Sequence, residues 1–242
     1  MKLNDKVTQA VESGVEPIAL RYETVRFFDA ETRMYRSKLL LNSLDLGVLS
    51  FDQYRFVAAR SKQGDALVRC HVIKLLRDIT RRAAQQDSSL YTMPAYARCL
   101  RNGSLCAMLI EGFSLFPKVS PSQICIELSA DVLYEDIEMI KTQVAALRDL
   151  GVRVAVSEVG DEFCPVFRLT SFPIDYAILD PYATDRLLSD DADRTVGGMI
   201  QYLHTLQLRV IAPLLHSSKL DAARTLGCDA YTADGIDGEG VL

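Results

Sequence analysis

The sequence predicts an α/β fold in which a parallel sheet, covered by helices, closes into a barrel. Strand-like and helix-like segments alternate from residue 123 onward, and strands such as 152–156 and 176–179 are continuously apolar, as strands buried on both faces are. Length is the third observation, because 242 residues with 49% apolar side chains suit about seven or eight strand–helix units in a single domain over 1–242.

The first half of the chain is predicted to begin with a helix over 2–13 and two strands over 18–29 and 34–42. The polar turn Asp-Ala-Glu-Thr-Arg joins these strands, so they are expected to form an antiparallel hairpin. Helices follow over 50–59 and 64–84, the second with apolar residues at helical spacing. A short buried strand over 90–93 and a helix to about residue 113 complete this half.

The second half alternates more regularly. Its predicted strands are 123–128, 152–156, 176–179, 209–212 and 229–231, and its predicted helices are 131–150, 162–171, 191–206 and 217–226. Gly151 is a suitable residue to end the first of these helices. Because barrel enzymes carry their chemistry at the carboxyl ends of the strands, the residues that end each strand are the candidates for a site.

Composition excludes several classes of function. The net charge is −5 and no dense Lys/Arg run is present, so binding to nucleic acid is not expected. The six cysteines form no C-x-x-C pair, which indicates buried reduced thiols. The first residues are polar and no apolar run is long enough to span a bilayer, so we predict a cytoplasmic protein without membrane contact.

Two motifs end predicted strands, Val152-Arg-Val-Ala-Val-Ser-Glu-Val-Gly160 and Phe172-Pro-Ile-Asp-Tyr-Ala-Ile-Leu-Asp180. They resemble those of the EAL domain family, which hydrolyses the bacterial second messenger cyclic di-GMP. The segment 157–180 aligns without a gap with the family's D-D-F-G-T-G and L-P-V-D-Y-L-K-I-D. Ser37-Lys-Leu-Leu-Leu41 takes the place of E-A-L-L-R, Val210-Ile-Ala-Pro-Leu-Leu-His216 that of V-I-A-E-G-V-E, and Leu226-Gly-Cys-Asp229 that of L-G-C-D.

The resemblance covers the chain from about residue 5 and is strongest over 122–234. It implies a TIM-like (β/α)8 barrel of the EAL type with an antiparallel first strand pair. It also implies a truncated C-terminus, because the last helix of the family fold has no counterpart before Leu242.

Most side chains that perform the family's chemistry are replaced in this chain. In the family, acidic and amide groups at successive strand ends hold two divalent cations that generate a hydroxide. The resemblance places other residues at five of these positions: Ser37, Ser157, Ile178, Pro213 and Thr232. None of the five supplies an anionic oxygen, so we expect no catalytic residue and no cofactor.

Three acids of the family pattern remain, Glu127, Glu158 and Asp180. The favoured interpretation is that they are inherited polar residues bonded to backbone amides and water. The alternative is a residual Mg²⁺ or Mn²⁺ site, for which Glu127 and Glu158 would be the ligands. Leu41 and Asp180 mark the remnant of the nucleotide-binding surface. Because Leu41 stands where the family has an arginine, and Ala130 where it has a loop-stabilising glutamate, cyclic di-GMP is expected to be an unlikely partner.

The predicted function is therefore that of a pseudo-enzyme. We expect a non-catalytic signalling or regulatory module that acts on a protein partner, which the sequence does not identify. Since related barrels pair through helices beside strands five and six, a homodimer is a further expectation. Two alternatives stay open: a sensor that binds cyclic di-GMP without hydrolysis, and a phosphodiesterase with residual or altered metal-dependent activity.

Overall fold

The computed structural model describes residues 3–13, 15–29, 32–83, 88–161, 164–185, 193–233 and 240–241. Its strands are β1 (Glu16–Phe27), β2 (Arg33–Ser43), β3 (Gly47–Leu49), β4 (Leu90–Ala95), β5 (Ile124–Ser129), β6 (Arg153–Val159), β7 (Tyr176–Leu179), β8 (Arg209–Leu215), β9 (Ala230–Ala233) and β10 (Gly240–Val241). Its helices are α1 (Leu3–Ser13), α2 (Phe51–Arg60), α3 (Gly64–Ala83), α4 (Ala97–Arg101), α5 (Ser104–Leu115), α6 (Ile137–Asp149), α7 (Pro181–Asp185), α8 (Asp193–Thr205) and α9 (Leu220–Thr225).

Eight of these strands close into a barrel in the order β1-β2-β4-β5-β6-β7-β8-β9. Neighbours from β2 to β9 run parallel, while β1 is antiparallel to both β2 and β9. β3 and β10 add to the barrel by antiparallel pairing with β2 and β1. The predicted barrel and the antiparallel first pair are thus confirmed. Residues 234–239, where the predicted truncation begins, lie outside the described residues.

The apolar core has two parts, because successive side chains of a strand point to opposite faces of the sheet. Inside the barrel, each of the eight strands contributes one or two apolar residues to a small cluster. These are Val25, Phe27, Met34, Leu90, Cys125, Ala155, Tyr176, Ile178, Ile211 and Ala230. The larger cluster fills the space between the barrel and the helices. Both faces of the parallel strands are therefore buried, as their continuous apolar runs predict.

Some predicted helices are interrupted where local chemistry favours a turn. The helix predicted to end near residue 113 is divided into α4 and α5 at Gly103, whose φ of 67° is left-handed. The helix predicted over 131–150 begins only at Ile137, since the Asp136 carboxylate accepts a hydrogen bond from the Met139 amide and caps α6 there. Short 3-10 turns occupy Ala130–Tyr134 and Val166–Ser171.

None of the helices in the described parts of the chain is long and apolar enough to cross a membrane. The longest of them, α3, has 20 residues and carries charged side chains along its length.

Candidate functional site

The barrel mouth is lined by the side chains that follow the inner apolar cluster along each strand. Because the period of a strand is two, the inner face continues from Met34 to Arg36 and from Cys125 to Glu127. β1 runs in the opposite direction, so its inner face continues from Val25 back to Glu23. Charged residues thus lie directly above the apolar interior of the barrel.

Arg36 and Glu127 form a forked ion pair across the inside of the barrel. The Arg36 Nε and Nη2 donate to the two carboxylate oxygens of Glu127 at 3.0 and 2.5 Å, and each side chain is 10% exposed. Thr92 Oγ1 donates to the same carboxylate at 3.5 Å. Burial acts to raise the pKa of the Glu127 carboxyl, but the charge and hydrogen bonds of Arg36 outweigh burial and hold that pKa below its usual range.

A second acid and a second cation extend this pair along β1 and β2. The Glu23 carboxylate lies 3.5 Å from Arg36 Nη1 and 2.8 Å from Lys38 Nζ. Lys38 also lies 3.5 Å from the carboxylate of Asp52 on α2. Sequence reasoning overlooked Glu23, Arg36 and Lys38. The signal that could have found them is the presence of charged residues two apart, 36 and 38, in a strand whose residues 34, 37, 39 and 41 are buried.

Ser37 borders the mouth, but its hydroxyl points to the helix side of the sheet, contrary to the position that the sequence alignment gave it. Its hydroxyl donates to the Thr92 carbonyl at 2.5 Å and contacts Nε2 of His71 on α3 at 2.8 Å, on the helix side of the sheet. Since the hydroxyl proton goes to the carbonyl, His71 Nε2 must be the donor to Ser37, and it cannot act as a base on that serine. Burial lowers the pKa of His71 to about 3, so the imidazole is neutral.

The Leu41 side chain does not reach the mouth. It is fully buried in the cluster between barrel and helices, on the same face of β2 as Ser37. The alternation of β2 places residues 37, 39 and 41 on the helix side and residues 36 and 38 on the inner side. The remnant nucleotide contact expected at Leu41 is therefore corrected, because that side chain does not reach the cleft.

Four other replaced positions do end strands at the mouth. Ile178 belongs to the apolar interior, and Pro213 lines the cleft above it. Ser157 Oγ donates to the Leu128 carbonyl at 3.5 Å, and Thr232 Oγ1 accepts a hydrogen bond from the Leu214 amide at 2.9 Å. These contacts are internal to the barrel rim, and none of these four side chains carries a charge.

The remaining acids, Glu127, Glu158 and Asp180, line one cleft but have separate partners. The Glu158 carboxylate accepts hydrogen bonds from Arg55 of α2 and from Ser129. Asp180 accepts a hydrogen bond from the Tyr182 amide at 2.7 Å, and burial raises the pKa of its carboxyl. In the described part of the chain, no group of three His, Cys, Asp or Glu side chains is arranged to hold a metal ion.

The cleft at the mouth has two adjoining chambers. The first, of about 490 Å³, lies beside β1 and β2 and includes Arg36 and Lys38. The second, of about 360 Å³, lies beside β5 and includes Asp131 and Cys164. Burial raises the pKa of the Cys164 thiol, so this side chain does not have the depressed pKa of a reactive cysteine.

Comparison with known proteins agrees with this architecture. The model of the family described as "EAL domain" matches residues 17–232. The EAL domain of FimX from Pseudomonas aeruginosa, solved bound to c-di-GMP, superposes with a TM-score of 0.82 at 14% identity, covering 99% of this chain and 96% of that one. The PaMucR phosphodiesterase, solved as a c-di-GMP complex, gives 0.82 at 15% identity, covering 98% and 97%.

A curated relative also matches, over a shorter stretch. An uncharacterized protein of Mycobacterium tuberculosis (strain ATCC 25618 / H37Rv) is 26% identical over 92 residues, which is 38% of this chain. This chain spans only 15% of the length of that relative. The likeness to the solved structures, at 15% identity or less, concerns the fold.

The comparisons contradict the expectation that cyclic di-GMP is an unlikely partner. Two barrels of this architecture were crystallised with that ligand bound. The expectation rested on Leu41 and on the altered loop at Ala130, but Leu41 is buried and does not decide what the mouth contacts. Among the described residues, Arg36, Lys38 and Arg55 are cations that line the cleft.

Proposed function

The chain belongs to the EAL domain family, and from that premise we propose that it is a catalytically inactive member that binds cyclic di-GMP without hydrolysing it. In this proposal the ligand is a signal that the protein reads, and the module is regulatory. The observation that carries the proposal is the Arg36–Glu127 fork inside the barrel.

The side chains at the mouth do not fit the two divalent cations that the family implies. A cation site of this kind needs several free carboxylate oxygens. Both oxygens of Glu127 already accept hydrogen bonds from Arg36, and those of Glu158 accept from Arg55 and Ser129. The strand ends at Ile178 and Pro213 offer no side-chain ligand. A guanidinium stays protonated and has no open coordination position at which to activate water.

The same cleft has features that suit a cyclic dinucleotide. Lys38 and Arg55, each paired with a carboxylate, are cationic donors that its phosphates can accept from, and the two chambers provide adjoining volumes of about 490 and 360 Å³. The aromatic rings of Phe56 and Tyr182 line the first chamber and are 61% and 62% exposed, so purine bases can stack on them. Structural neighbours solved with c-di-GMP support the choice of this ligand.

Binding of the ligand should not depend on a divalent cation, because Arg36 supplies the positive charge above the barrel core. Isothermal titration calorimetry of the purified chain with cyclic di-GMP should give a dissociation constant on the order of micromolar, equal within error in EDTA and in Mg²⁺. Incubation of the same complex with Mg²⁺ or Mn²⁺ should yield no linear dinucleotide on anion-exchange chromatography.

A matched pair of lysine variants tests the location. Lys38→Gln removes a cation from the cleft and should weaken binding about tenfold, whereas Lys141→Gln on α6 should leave it unchanged. Turnover with either metal would refute the inactive part of the proposal. Absence of binding heat at tens of micromolar ligand would refute the binding part.

A second candidate function is regulation through protein contacts without a ligand. One surface favours it, with three exposed apolar side chains: Leu44 on the turn before β3, Val48 on β3 and Phe56 on α2. The calorimetry distinguishes the two candidates, since a chain that acts only through this surface would give no heat with cyclic di-GMP.

A further inference from the structure

A second ion pair spans the mouth of the barrel, and its position differs from that of the buried Arg36–Glu127 fork. Arg55 lies on α2 and Glu158 lies at the end of β6, and the two partners are 103 positions apart in the sequence. Their side chains are 27% and 22% exposed, compared with 10% for the buried pair. This pair is therefore open to a ligand that enters the cleft.

The Arg55–Glu158 pair lies where the two chambers meet. Both residues line the first chamber and the second, whereas Lys38 lines only the first and Asp131 only the second. A ligand with two bases and two phosphates that occupied both chambers would have to pass this pair. The contact between α2 and β6 would then be replaced by contacts with the ligand.

The environment of Arg55 suits a phosphate. Its guanidinium lies 4.1 Å from the centroid of the exposed Phe56 ring, while its Nη1 donates to the Glu158 carboxylate. An arginine that is oriented on an aromatic ring and bonded to a carboxylate presents the forked donors that phosphate oxygens also accept. The carboxylate thus occupies the place that a phosphodiester oxygen could take.

The backbone aims Glu158 at this position at some cost. Its φ is 63°, a left-handed conformation that residues with a side chain adopt infrequently, and the pairing of β6 with β7 shifts register between Val156 and Val159. Register irregularities of this kind redirect a side chain at the rim of a barrel. Ser129 then fixes the second carboxylate oxygen of Glu158.

We infer that the Arg55–Glu158 pair is a latch that the phosphate of a cyclic dinucleotide displaces. In the free protein Glu158 holds Arg55 across the two chambers. On binding, a phosphodiester oxygen replaces the Glu158 carboxylate on Arg55, and the chambers join. The inference rests on the proposed function, and it adds the anion-binding residue and the internal competitor that lowers the affinity.

Because Glu158 and the ligand compete for Arg55, substitutions of the two residues should change the affinity for cyclic di-GMP in opposite directions. Glu158→Gln removes the competing charge and should tighten cyclic di-GMP binding about three- to fivefold, since a partly exposed ion pair is modest in strength. Arg55→Gln removes the anion-binding group and should weaken binding tenfold or more. The double variant should bind as Arg55→Gln does, because without Arg55 there is nothing for Glu158 to compete for.

The experiment is calorimetry with cyclic di-GMP on the wild type, these three variants and Asp161→Asn. Asp161 lines the second chamber, so its variant measures the general gain from removing one negative charge near the site. Circular dichroism and thermal unfolding establish that each protein is folded. If Glu158→Gln does not fold, Ser129→Ala replaces it, because it frees one oxygen of the same carboxylate and should shift binding in the same direction.

The outcomes separate the latch from the proposed function. Tightening by Glu158→Gln beyond that of Asp161→Asn, lost when Arg55 is also changed, supports the latch. Equal effects of the two acid variants, or additive effects in the double variant, overturn the latch while wild-type binding keeps the proposed function. Binding by Glu158→Gln but not by the wild type supports the latch and refutes wild-type sensing. No binding by any of the proteins overturns both.

Discussion

Replacing Arg36 with methionine tests whether the charge inside the barrel is essential for stability. Arg36 is the partner of a buried carboxylate, with bonds of 3.0 and 2.5 Å to Glu127 and a 3.5 Å contact to Glu23. Methionine retains much of the volume but leaves Glu127 buried without its cation. Breaking one side of a buried pair typically costs about 3–5 kcal/mol. That is a large part of the roughly 5–15 kcal/mol that stabilises a folded domain.

The difference in stability between the wild type and Arg36→Met should depend on pH. In the wild type the Glu127 pKa is lowered by Arg36, so its contribution to stability is present above the unfolded-state pKa of about 4.3 and is lost as the pH falls through the lower folded-state value. In Arg36→Met burial remains the largest influence and raises that pKa, opposed by the smaller effects of Lys38 and Ser157. The variant carboxyl then protonates at a higher pH than an unfolded one, and the difference in stability from the wild type should shrink on acidification.

Urea denaturation followed by circular dichroism between pH 8 and pH 5 measures both effects. Arg69→Met is the matched control, because Arg69 pairs with Glu111 at sites that are each 51% exposed, and such pairs contribute about 0–1 kcal/mol. The double change Arg36→Met with Glu127→Leu should recover most of the lost stability, since it leaves no unpaired charge. A cost for Arg36→Met no greater than that for Arg69→Met would refute the reasoning.

Three further predictions concern the scaffold. A histidine in the unfolded chain has a pKa near 6.5, whereas burial lowers the pKa of His71 to about 3. As the pH is lowered between those values, the free energy of unfolding of the wild type should therefore fall by up to about 1.4 kcal/mol per pH unit. His71→Gln should lose this contribution when urea denaturation is measured over the same pH range. Leu214→Gly should raise the melting temperature, because φ is 52° there and a left-handed conformation costs a leucine roughly 1–2 kcal/mol. The control Leu44→Gly, at an exposed leucine without positive φ, should lower the melting temperature. Gly112→Ala should lower the free energy of unfolding by about 1 kcal/mol or more in chemical denaturation, since a Cβ there would lie 2.6 Å from a Leu76 methyl group. Gly198→Ala, where a Cβ would meet no neighbour, should stabilise α8. Equal effects of the two variants would contradict this account of helix packing.

The second half of the fold was predictable because its strands carry a strong and simple pattern. From β5 to β9, apolar runs end at turn or polar residues, and the inner face is fixed by period two once one inward residue is known. Ser157, Ile178, Pro213 and Thr232 are accordingly found at the strand ends where the alignment placed them. α7 was not predicted, since a segment of five residues carries too little periodicity, and the helix predicted over 162–171 is a 3-10 turn over Val166–Ser171.

The first half was harder because a one-residue error in register reverses the face of every side chain in a strand. The alignment put Ser37 at the mouth, and the pairing of β2 with β1 and β4 puts residues 36 and 38 there instead. The contacts of Arg55 with Glu158 join residues 103 positions apart, and no local pattern reveals them. Two cations two residues apart in β2 were visible in the sequence. To place them at the mouth, one must know which face of the strand is the inner one.

Each of three glutamates at the mouth lies beside a cation that the chain itself supplies. Glu23, Glu127 and Glu158 lie close to Lys38, Arg36 and Arg55, so the chain supplies a cation of its own for each acid. A bound ion can be removed by a chelator and can hold a water molecule for attack, whereas a guanidinium can do neither. The cations at this mouth are therefore fixed to the protein, and a phosphate would reach them by replacing a carboxylate partner. That exchange is the physical basis of the proposal that the barrel holds a cyclic dinucleotide and leaves its phosphodiester bonds intact.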